Sequence, residues 1–453
     1  MIKLNSSSLR LSLSTLFVLV ALSVTMPISY STQTPQKTAI KVIYAGRLID
    51  AVSDEVRTNV SVIIENDRIR EVQNGKITIE GADIIDLSDS TVMPGLIDCH
   101  THLTFQLEKG RTLKDLVLSR KADVAVAATT YARRTLLAGF TTVRDVGAPD
   151  FIDVSLRDAI KAGTVPGPRM YVATFLLTIT GGHGDFSSGF REELIPEPDF
   201  RRGVVNSPED GVKAVRYMIK YGADHIKVVS TGGVLSLGDT QAGQQLTFAE
   251  MKAIVETAHM LGRKVEAHAH GASGIKDALR AGVDSIEHGT YLDDEAIKLF
   301  TDRGAYLVPT ISAGKWTQKK AEEPGYYPPA IAAKARGLGT LIQNAFGKAY
   351  RAHVKIAFGT DAGVFPHGQN AMEFEYMVQA GMPPIKAILA ATRDAADLLG
   401  QSGNIGTIQK GRYADLVAVK GDPLADITLL QTISFVMKEG QVYKRDGVAQ
   451  AVP

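Results

Sequence analysis

The segment Leu96-Ile97-Asp98-Cys99-His100-Thr101-His102 has the pattern of a buried strand that ends in two histidines. Side chains two residues apart on a strand point to the same face, so we expect the two imidazoles to lie side by side. Seven further strand-like runs follow, at residues 141–145, 169–174, 225–229, 264–268, 285–288, 305–309 and 355–359. Helix-like segments with a 3.6-residue apolar period separate them, for example residues 208–221 and 248–261. This alternation predicts an α/β fold with a (β/α)8 TIM barrel over residues 96–395.

The two ends of the chain differ from this central part because they contain short β-branched runs and turn residues but few helical patterns. Such runs lie at residues 40–44, 60–64 and 84–87 near one end, and at 414–419 and 433–437 near the other. We therefore predict a small β-sandwich domain whose two parts are residues 38–95 and 396–453.

The first 31 residues have the features of a secretory signal peptide. Lys3 and Arg10 give a positive start, residues 11–26 form an apolar run, and small residues follow at 29–31. An uncleaved membrane anchor is the alternative, but the run is shorter than the ~20 residues that a spanning helix needs. We expect cleavage within 1–31, export to a bacterial periplasm and no membrane attachment afterwards.

The charge balance excludes some classes of protein. The chain has 50 Lys and Arg against 49 Asp and Glu, and loss of residues 1–31 would leave a formal charge of −1. A nucleic-acid partner is therefore not expected, since it requires a strongly basic surface. The single cysteine, Cys99, excludes an intrachain disulfide framework and a zinc site made of four cysteines, and we expect it to be a buried packing residue.

Residues able to carry chemistry lie at or near the carboxyl ends of the predicted strands, which meet at one mouth in a barrel. They are His100, His102, Lys227, His268, His288 and Asp361. Each has an ordinary alternative, as a core histidine, a solvated lysine or a helix-capping aspartate. Their combination predicts a transition-metal site, because imidazole and carboxylate are suitable ligands. A strand lysine needs a partner or loss of its charge when buried.

Longer motifs resemble those of a known family. Val92-Met93-Pro94-Gly95-Leu96-Ile97-Asp98-Cys99-His100-Thr101-His102 resembles the opening motif of the amidohydrolase superfamily, and residues 406–417 resemble its closing strand motif. Four shorter motifs, at 227–233, 267–271, 286–289 and 359–363, are similar to those of the imidazolonepropionase-related branch. That branch includes Xaa-Pro dipeptidases (prolidases), Xaa-Arg dipeptidases and ochratoxin-hydrolysing amidases. The resemblance extends from about residue 40 to the end of the chain.

The resemblance implies a binuclear metal centre, usually with zinc. His100, His102 and Asp361 would hold the buried ion, and His268 and His288 the more exposed ion. Lys227 would carry a CO2-derived carbamate that bridges both ions. A metal-bridging hydroxide would attack an amide bond to a C-terminal amino acid, and Asp361 would transfer the proton. Dipeptides or N-acyl amino acids with a free carboxylate are the expected substrates.

Further residues are candidates for substrate contacts. His183, in a glycine-flanked loop after the third strand, could donate to the oxyanion, or could be a loop residue without a catalytic task. His270 is a candidate for the substrate carboxylate, His367 on the last barrel loop for a substrate contact, and Tyr326 and Tyr327 for the rim of the pocket. Arg144 could bind a carboxylate, but a strand-bridging role is the simpler interpretation.

Other functions remain open from the sequence. The same metal pair can hydrolyse esters, lactones or phosphotriesters. A deaminase of the superfamily would generally use one metal and no lysine ligand, which Lys227 disfavours. A periplasmic ligand-binding protein without turnover is the non-enzymatic alternative, and a homo-oligomer is possible.

Overall fold

The computed structural model describes residues 39–109 and 118–451. The predicted signal peptide at 1–31 lies outside these residues. In the described ranges, no helix is both long enough and apolar enough to cross a membrane.

The chain begins its described part with four strands: β1 (Ile40–Leu48), β2 (Arg57–Glu65), β3 (Arg68–Asn74) and β4 (Asp83–Pro94). β1 pairs antiparallel with β2 and parallel with β4. Ile43 lies opposite Val62 of β2 and Ile85 of β4, and all three are buried. This apolar face forms the core of the N-terminal part.

Strands and helices alternate in the central part. Its strands are β5 (Leu96–Thr101), β6 (Phe140–Asp145), β7 (Arg169–Val172), β8 (Ile226–Val229), β9 (Val265–Ala269), β10 (Ser285–His288), β11 (Tyr306–Val308) and β12 (Lys355–Ile356). Its described helices are α1 (Lys121–Leu137), α2 (Ile152–Lys161), α3 (Pro208–Lys220), α4 (Phe248–Met260), α5 (Ala272–Ala281), α6 (Asp294–Arg303), α7 (Ile311–Lys320), α8 (Pro329–Ala335), α9 (Leu338–Arg351), α10 (Met372–Gln379), α11 (Pro384–Ala390) and α12 (Arg393–Leu398). The predicted mixed α/β class is confirmed.

Local sequence signals explain where several helices begin. Ser207 precedes α3 and its hydroxyl accepts from the backbone N–H of Asp210, while Pro208 occupies the first helical position. Thr247 and Glu250 form a reciprocal capping box at the start of α4. These caps satisfy N–H groups that have no partner inside the helix.

The central strands form two parallel sheets, in the orders β5-β6-β7 and β12-β11-β10-β9-β8. Main-chain hydrogen bonds connect their edges on both sides. After β7, the N–H of Leu177 donates to the main-chain carbonyl of Lys227 in β8 (2.8 Å). On the other side, the N–H of Cys99 donates to the carbonyl of Phe358 (2.9 Å), and that of Asp361 donates to His100 (2.7 Å). The carboxyl ends of β5 and β8 are thereby held beside the residues that follow β12 and β7.

Four C-terminal strands complete the fold: β13 (Leu416–Lys420), β14 (Phe435–Lys438), β15 (Gln441–Arg445) and β16 (Val448–Ala449). β13 pairs antiparallel with β4, with Val417 opposite Met93. Both ends of the chain therefore share one eight-stranded sheet, in the order β16-β15-β14-β13-β4-β1-β2-β3. The division at residue 395 stays a prediction, and α12 lies across it.

The strands that the sequence did not predict are β3, β15 and β16. β3 and β15 are largely polar and β16 is an exposed pair of residues, and all three lie at or next to the edges of the eight-stranded sheet. An edge strand buries little apolar surface, so its sequence lacks a clear apolar alternation.

Candidate active site

One group of possible metal ligands consists of His100, His102 and Asp361. His100 lies near the end of β5, His102 directly follows that strand, and Asp361 follows β12. Nδ1 of His100 contacts Glu287 Oε2 (2.6 Å), and Nδ1 of His102 contacts the carbonyl oxygen of Gly147 (3.0 Å). The Nε2 atoms of the two histidines lie 3.5 and 3.4 Å from Asp361 Oδ1. Their free nitrogens therefore converge on one carboxylate oxygen.

A second group consists of His268, His270 and His288, all buried. Nδ1 of His288 contacts Thr310 Oγ1 (2.7 Å), and Nδ1 of His270 contacts Thr290 Oγ1 (2.6 Å). His270 was predicted only as a substrate contact, but the structure brings one of its ring nitrogens into the same group, in which the three ligand atoms lie within 4.8 Å of one another. The rings of His100 and His288 are 5.1 Å apart, so the two groups adjoin.

Lys227 lies on β8 and is buried, with 3% of its surface exposed. Its Nζ has no hydrogen-bond partner in the part of the chain that the structure describes. Burial lowers the pKa of this amine, although the nearby carboxylates of Glu287 and Glu266 oppose the shift. The amine is thus placed in a buried position that an unmodified ammonium group would occupy only at high cost.

The protonation states of the site follow from burial. Desolvation lowers the pKa of His102 to about 4 and that of His270 to about 3. These imidazoles are therefore neutral at neutral pH, which is the form that binds metals. Burial raises the pKa of Asp361 to about 7, and the charge of Lys227 opposes this shift. A carboxyl group in this range can accept and release a proton near neutral pH.

Glu287, a buried carboxylate behind His100, was not assigned a role from the sequence. Glu287 contacts His100 and also accepts from Nη2 of Arg144 (2.9 Å), whose Nε donates to the carbonyl of Cys99 (2.6 Å). The strand-bridging interpretation of Arg144 is therefore confirmed. Cys99 is buried as predicted, and burial raises the pKa of its thiol to about 12. The sequence signal that could have indicated the role of Glu287 is its spacing from Ser285. Side chains two residues apart share one face of β10, and both of these contact Arg144.

Two further predicted residues, His183 and His367, have different neighbours. The ring of His183 is 4.5 Å from that of His268, so it adjoins the second group. His367 is stacked on Tyr131 (4.9 Å), with Nε2 against the carbonyl of Phe105 (2.8 Å).

Tyr326 and Tyr327 pack against each other at 4.8 Å, and the ammonium of Lys320 lies over Tyr326. Among the described residues, no ring contact joins these two tyrosines to either group of histidines. The structure therefore brings His183 and His270 to the candidate site but shows no such contact for the two tyrosines.

A family comparison gives the class of protein that this fold and site define. The sequence profile of the amidohydrolase family matches residues 91–443, a range that includes every residue of the two groups of possible metal ligands. The chain therefore belongs to the amidohydrolase family. It is an enzyme, a hydrolase that acts on amide bonds, and the predicted resemblance is confirmed.

Individual relatives are similar over nearly the whole chain. Ochratoxinase of Aspergillus niger is 31% identical over 437 residues, which cover 90% of this chain and 88% of the relative. A crystal structure of a Xaa-Pro dipeptidase with methionine bound in its active site is 43% identical and has a TM-score of 0.87, covering 90% of this chain and 100% of its own. A prolidase complexed with N-methylphosphonate-L-proline is 33% identical, with a TM-score of 0.83 and the same coverage.

Proposed function

We propose that this enzyme is a binuclear metal-dependent amidohydrolase that cleaves the amide bond to a C-terminal amino acid. Its substrates would be dipeptides or N-acyl amino acids, as in a carboxypeptidase or prolidase. The observation that carries this proposal is the buried, unpartnered Nζ of Lys227 beside two adjoining groups of metal ligands. The names of the relatives, a Xaa-Pro dipeptidase, a prolidase and an ochratoxinase, support the same substrate class.

The proposed architecture is a closed (β/α)8 barrel made from β5 to β12. Its support is the set of hydrogen bonds that connect both edges of the two parallel sheets. Closure would place the carboxyl ends of all eight strands around one mouth, where barrel enzymes have their active sites. The terminal strands would then form the separate β-sandwich domain.

The residues that would hold the metals are those of the two groups. His100, His102 and Asp361 would bind one divalent ion, and His268 and His288 the other, most simply Zn2+. A carbamate on Lys227 would bridge the ions, and it would give the orphaned Nζ a role that burial of an amine does not explain. When bound, the two metal ions would polarise the substrate carbonyl and activate a water molecule at neutral pH.

The protein's own contribution is to place neutral imidazoles and a proton carrier around the substrate. Oδ1 of Asp361 is directed at His100 and His102, which leaves Oδ2 to take the proton of the attacking water and pass it to the leaving nitrogen. Among the proposed substrate-binding residues His270, His367, Tyr326 and Tyr327, His270 belongs to the second group of histidines. It could direct a ring N–H at the substrate carboxylate.

Two measurements test this proposal together. Metal analysis of the purified enzyme should find about two equivalents per chain, as expected for a dinuclear centre. A library of dipeptides and N-acyl amino acids, assayed by release of the amine, should contain hydrolysed members. One metal equivalent or none would refute the binuclear centre, and release from no member would shift the function to esters, lactones or phosphotriesters.

We also propose that the enzyme is exported after cleavage within residues 1–31, as the charged start and apolar run of this segment suggest. The N-terminus of the protein recovered from the periplasm, determined by mass spectrometry, tests this. Recovery of the full-length chain from the cytoplasm would contradict it.

A further inference from the structure

A chain of polar side chains runs from helix α8 to His183. Lys334 of α8 donates to Asp239 Oδ1 (3.0 Å) and also to the carbonyls of Gly233 and Ser236 (both 2.7 Å). The hydroxyl of Ser236 lies 2.8 and 2.9 Å from the two carboxylate oxygens of Asp239. The same hydroxyl oxygen is 2.9 Å from Nδ1 of His183. Two side chains, those of Asp239 and Ser236, therefore connect the ammonium group of Lys334 to the imidazole of His183.

The number of protons on each group determines which atom donates and which accepts in the hydrogen bonds between Lys334 and His183. Burial alone would raise the pKa of Asp239, but hydrogen bonds from Lys334 and Ser236 outweigh it and lower the pKa, so the group is a carboxylate. A carboxylate only accepts hydrogen bonds, so the single proton of Ser236 is directed at Asp239. The oxygen of Ser236 must then accept a hydrogen bond from Nδ1–H of His183. A neutral imidazole carries one ring proton, so Nε2 of His183 carries a lone pair.

The position of the His183 ring is also fixed. Its atoms Nδ1 and Cε1 would lie 2.3 Å from a Cβ at Gly233, so only glycine at position 233 leaves room for the ring. The backbone N–H of His183 donates to Gln245 Oε1 (3.0 Å), and Nε2 of Gln245 donates to Asp239 Oδ2 (3.2 Å). In the described part of the chain, Nε2 of His183 has no hydrogen-bond partner. The loop after β8 therefore holds both the ring and the main chain of His183.

We propose that Lys334, Asp239 and Ser236 are positioning residues that hold His183 in its Nδ1–H tautomer, so that Nε2 accepts a hydrogen bond from an N–H group of the substrate. This assignment replaces the oxyanion donor that the sequence suggested, because a neutral ring in this tautomer has no proton on Nε2. It rests on the proposed function, since a dipeptide or amide supplies the N–H group.

Nuclear magnetic resonance can read the tautomer directly. The intact zinc-loaded enzyme, labelled with 15N in its histidine rings, would be studied by two-bond 1H–15N correlation at a pH where His183 is neutral. The His183 signals are identified by their loss in His183→Gln. We expect the Nδ1–H pattern in the wild type. An Nε2–H pattern would overturn the proposal without any need for a positioning variant.

Ser236→Ala removes the acceptor of Nδ1–H and should increase the Nε2–H population of His183. Ser187→Ala is the matched control, because Ser187 lies in the same loop as His183 but its hydroxyl donates to Asp185 (2.6 Å) and does not contact His183. Ser236→Thr keeps a hydroxyl and should keep the wild-type tautomer. An unchanged tautomer in Ser236→Ala, in a protein that melts at the wild-type temperature, would overturn the positioning role.

Kinetics on a hydrolysed amide complete the test. Ser236→Ala should lower kcat/KM by about tenfold or more with unchanged metal content, whereas Ser236→Thr and Ser187→Ala should not. A changed tautomer without a loss of kcat/KM would refute the role of Nε2 as an acceptor. If the wild type hydrolyses no amide at all, the proposed function fails, but the tautomer measurement still decides whether the three residues position His183.

Discussion

Each histidine of the candidate metal centre uses one ring nitrogen for a protein partner, and this decides what the other nitrogen can do. Nδ1 is hydrogen-bonded to Glu287 in His100, to a main-chain carbonyl in His102, and to Thr310 in His288. Such partners orient the ring and select the nitrogen that faces the metal. The sequence indicated the histidines but not these partners, because Glu287 is 187 residues away from His100 along the chain.

Lys227→Ala tests the proposed bridging carbamate. We expect loss of turnover and fewer than two metal equivalents, because both ions would lose a shared anionic ligand. Bicarbonate should not restore activity, since alanine has no amine to modify. Lys355→Ala, at an exposed position on β12, should retain wild-type metal content and rates. Normal turnover by Lys227→Ala would rule out the carbamate.

Glu287→Gln tests the orientation of His100. The amide keeps the shape of the side chain but weakens the contact with Nδ1, so we expect metal affinity to fall by about 10- to 100-fold. Competition with a coloured chelator measures this affinity. Glu256→Gln, on the exposed face of α4, provides the control. Equal affinities in both variants would show that Glu287 only neutralises Arg144.

At the scale of a single element, helix α7 begins with an unusual cap. Thr310 precedes it in a left-handed conformation (φ 52°), and its hydroxyl is already bonded to His288. The first N–H groups of the helix, from Ile311 and Ser312, donate instead to the carboxyl oxygens of Glu373 (2.8 and 2.6 Å). Glu373 belongs to α10, so local sequence signals could not predict this cap. It frees Thr310 to orient a candidate metal ligand.

Glu373 gives the stability of the fold a specific pH dependence. Burial raises its pKa from 4.5 to about 8, so the folded state holds this proton more tightly than the unfolded state. Its contribution is fully present below pH 4.5 and is lost as the pH rises towards 8, with a slope of at most about 1.4 kcal/mol per pH unit.

We therefore expect Glu373→Gln to be less sensitive than the wild type to a rise from about pH 6 to about pH 8. Urea unfolding of both proteins in excess metal measures the difference. Gln379→Ala, exposed at the end of the same helix, removes no titrating group and should keep the wild-type slope. Identical slopes for wild type and Glu373→Gln would contradict the expectation.

For the molecule as a whole, a partly buried polar cluster connects the eight-stranded sheet to the parallel strands. Arg169 of β7 contacts Asp415, before β13, and Glu439, after β14, both at 2.6 Å. The guanidinium groups of Arg68 and Arg169 both lie over the ring of Tyr413, at 3.5 and 4.4 Å from its centroid. These contacts hold residues from both ends of the chain against the central part.

Arg169→Met should destabilise the enzyme by about 3 kcal/mol, because it leaves the buried carboxylate of Asp415 without its cation. The shift in the denaturation midpoint measures the loss. Lys298→Met is the control, since Lys298 and Asp302 form an exposed pair on one helix that contributes little. Equal midpoints for the two variants would mean that the cluster does not stabilise the connection.

The elements of the fold that could be predicted from the sequence are those with buried faces. Periodic apolar patterns identified the central strands and helices such as those at residues 208–221 and 248–261, because buried faces constrain the sequence strongly. The same patterns missed β3, which is polar and lies at a sheet edge. The candidate ligands were identifiable because His and Asp at strand ends are chemically distinctive, whereas the irregular loop with Tyr326 and Tyr327 gave no periodic signal.

The sequence by itself determined the family, the alternation of strands and helices, and the residue types of the candidate metal centre. These properties depend on local patterns and on motifs such as residues 92–102. Only the tertiary structure decided that His270 joins His268 and His288, that Glu287 supports His100, and that Lys334 is connected to His183. The physical reason is that these contacts join distant elements, and folding alone brings their hydrogen-bonding atoms within reach.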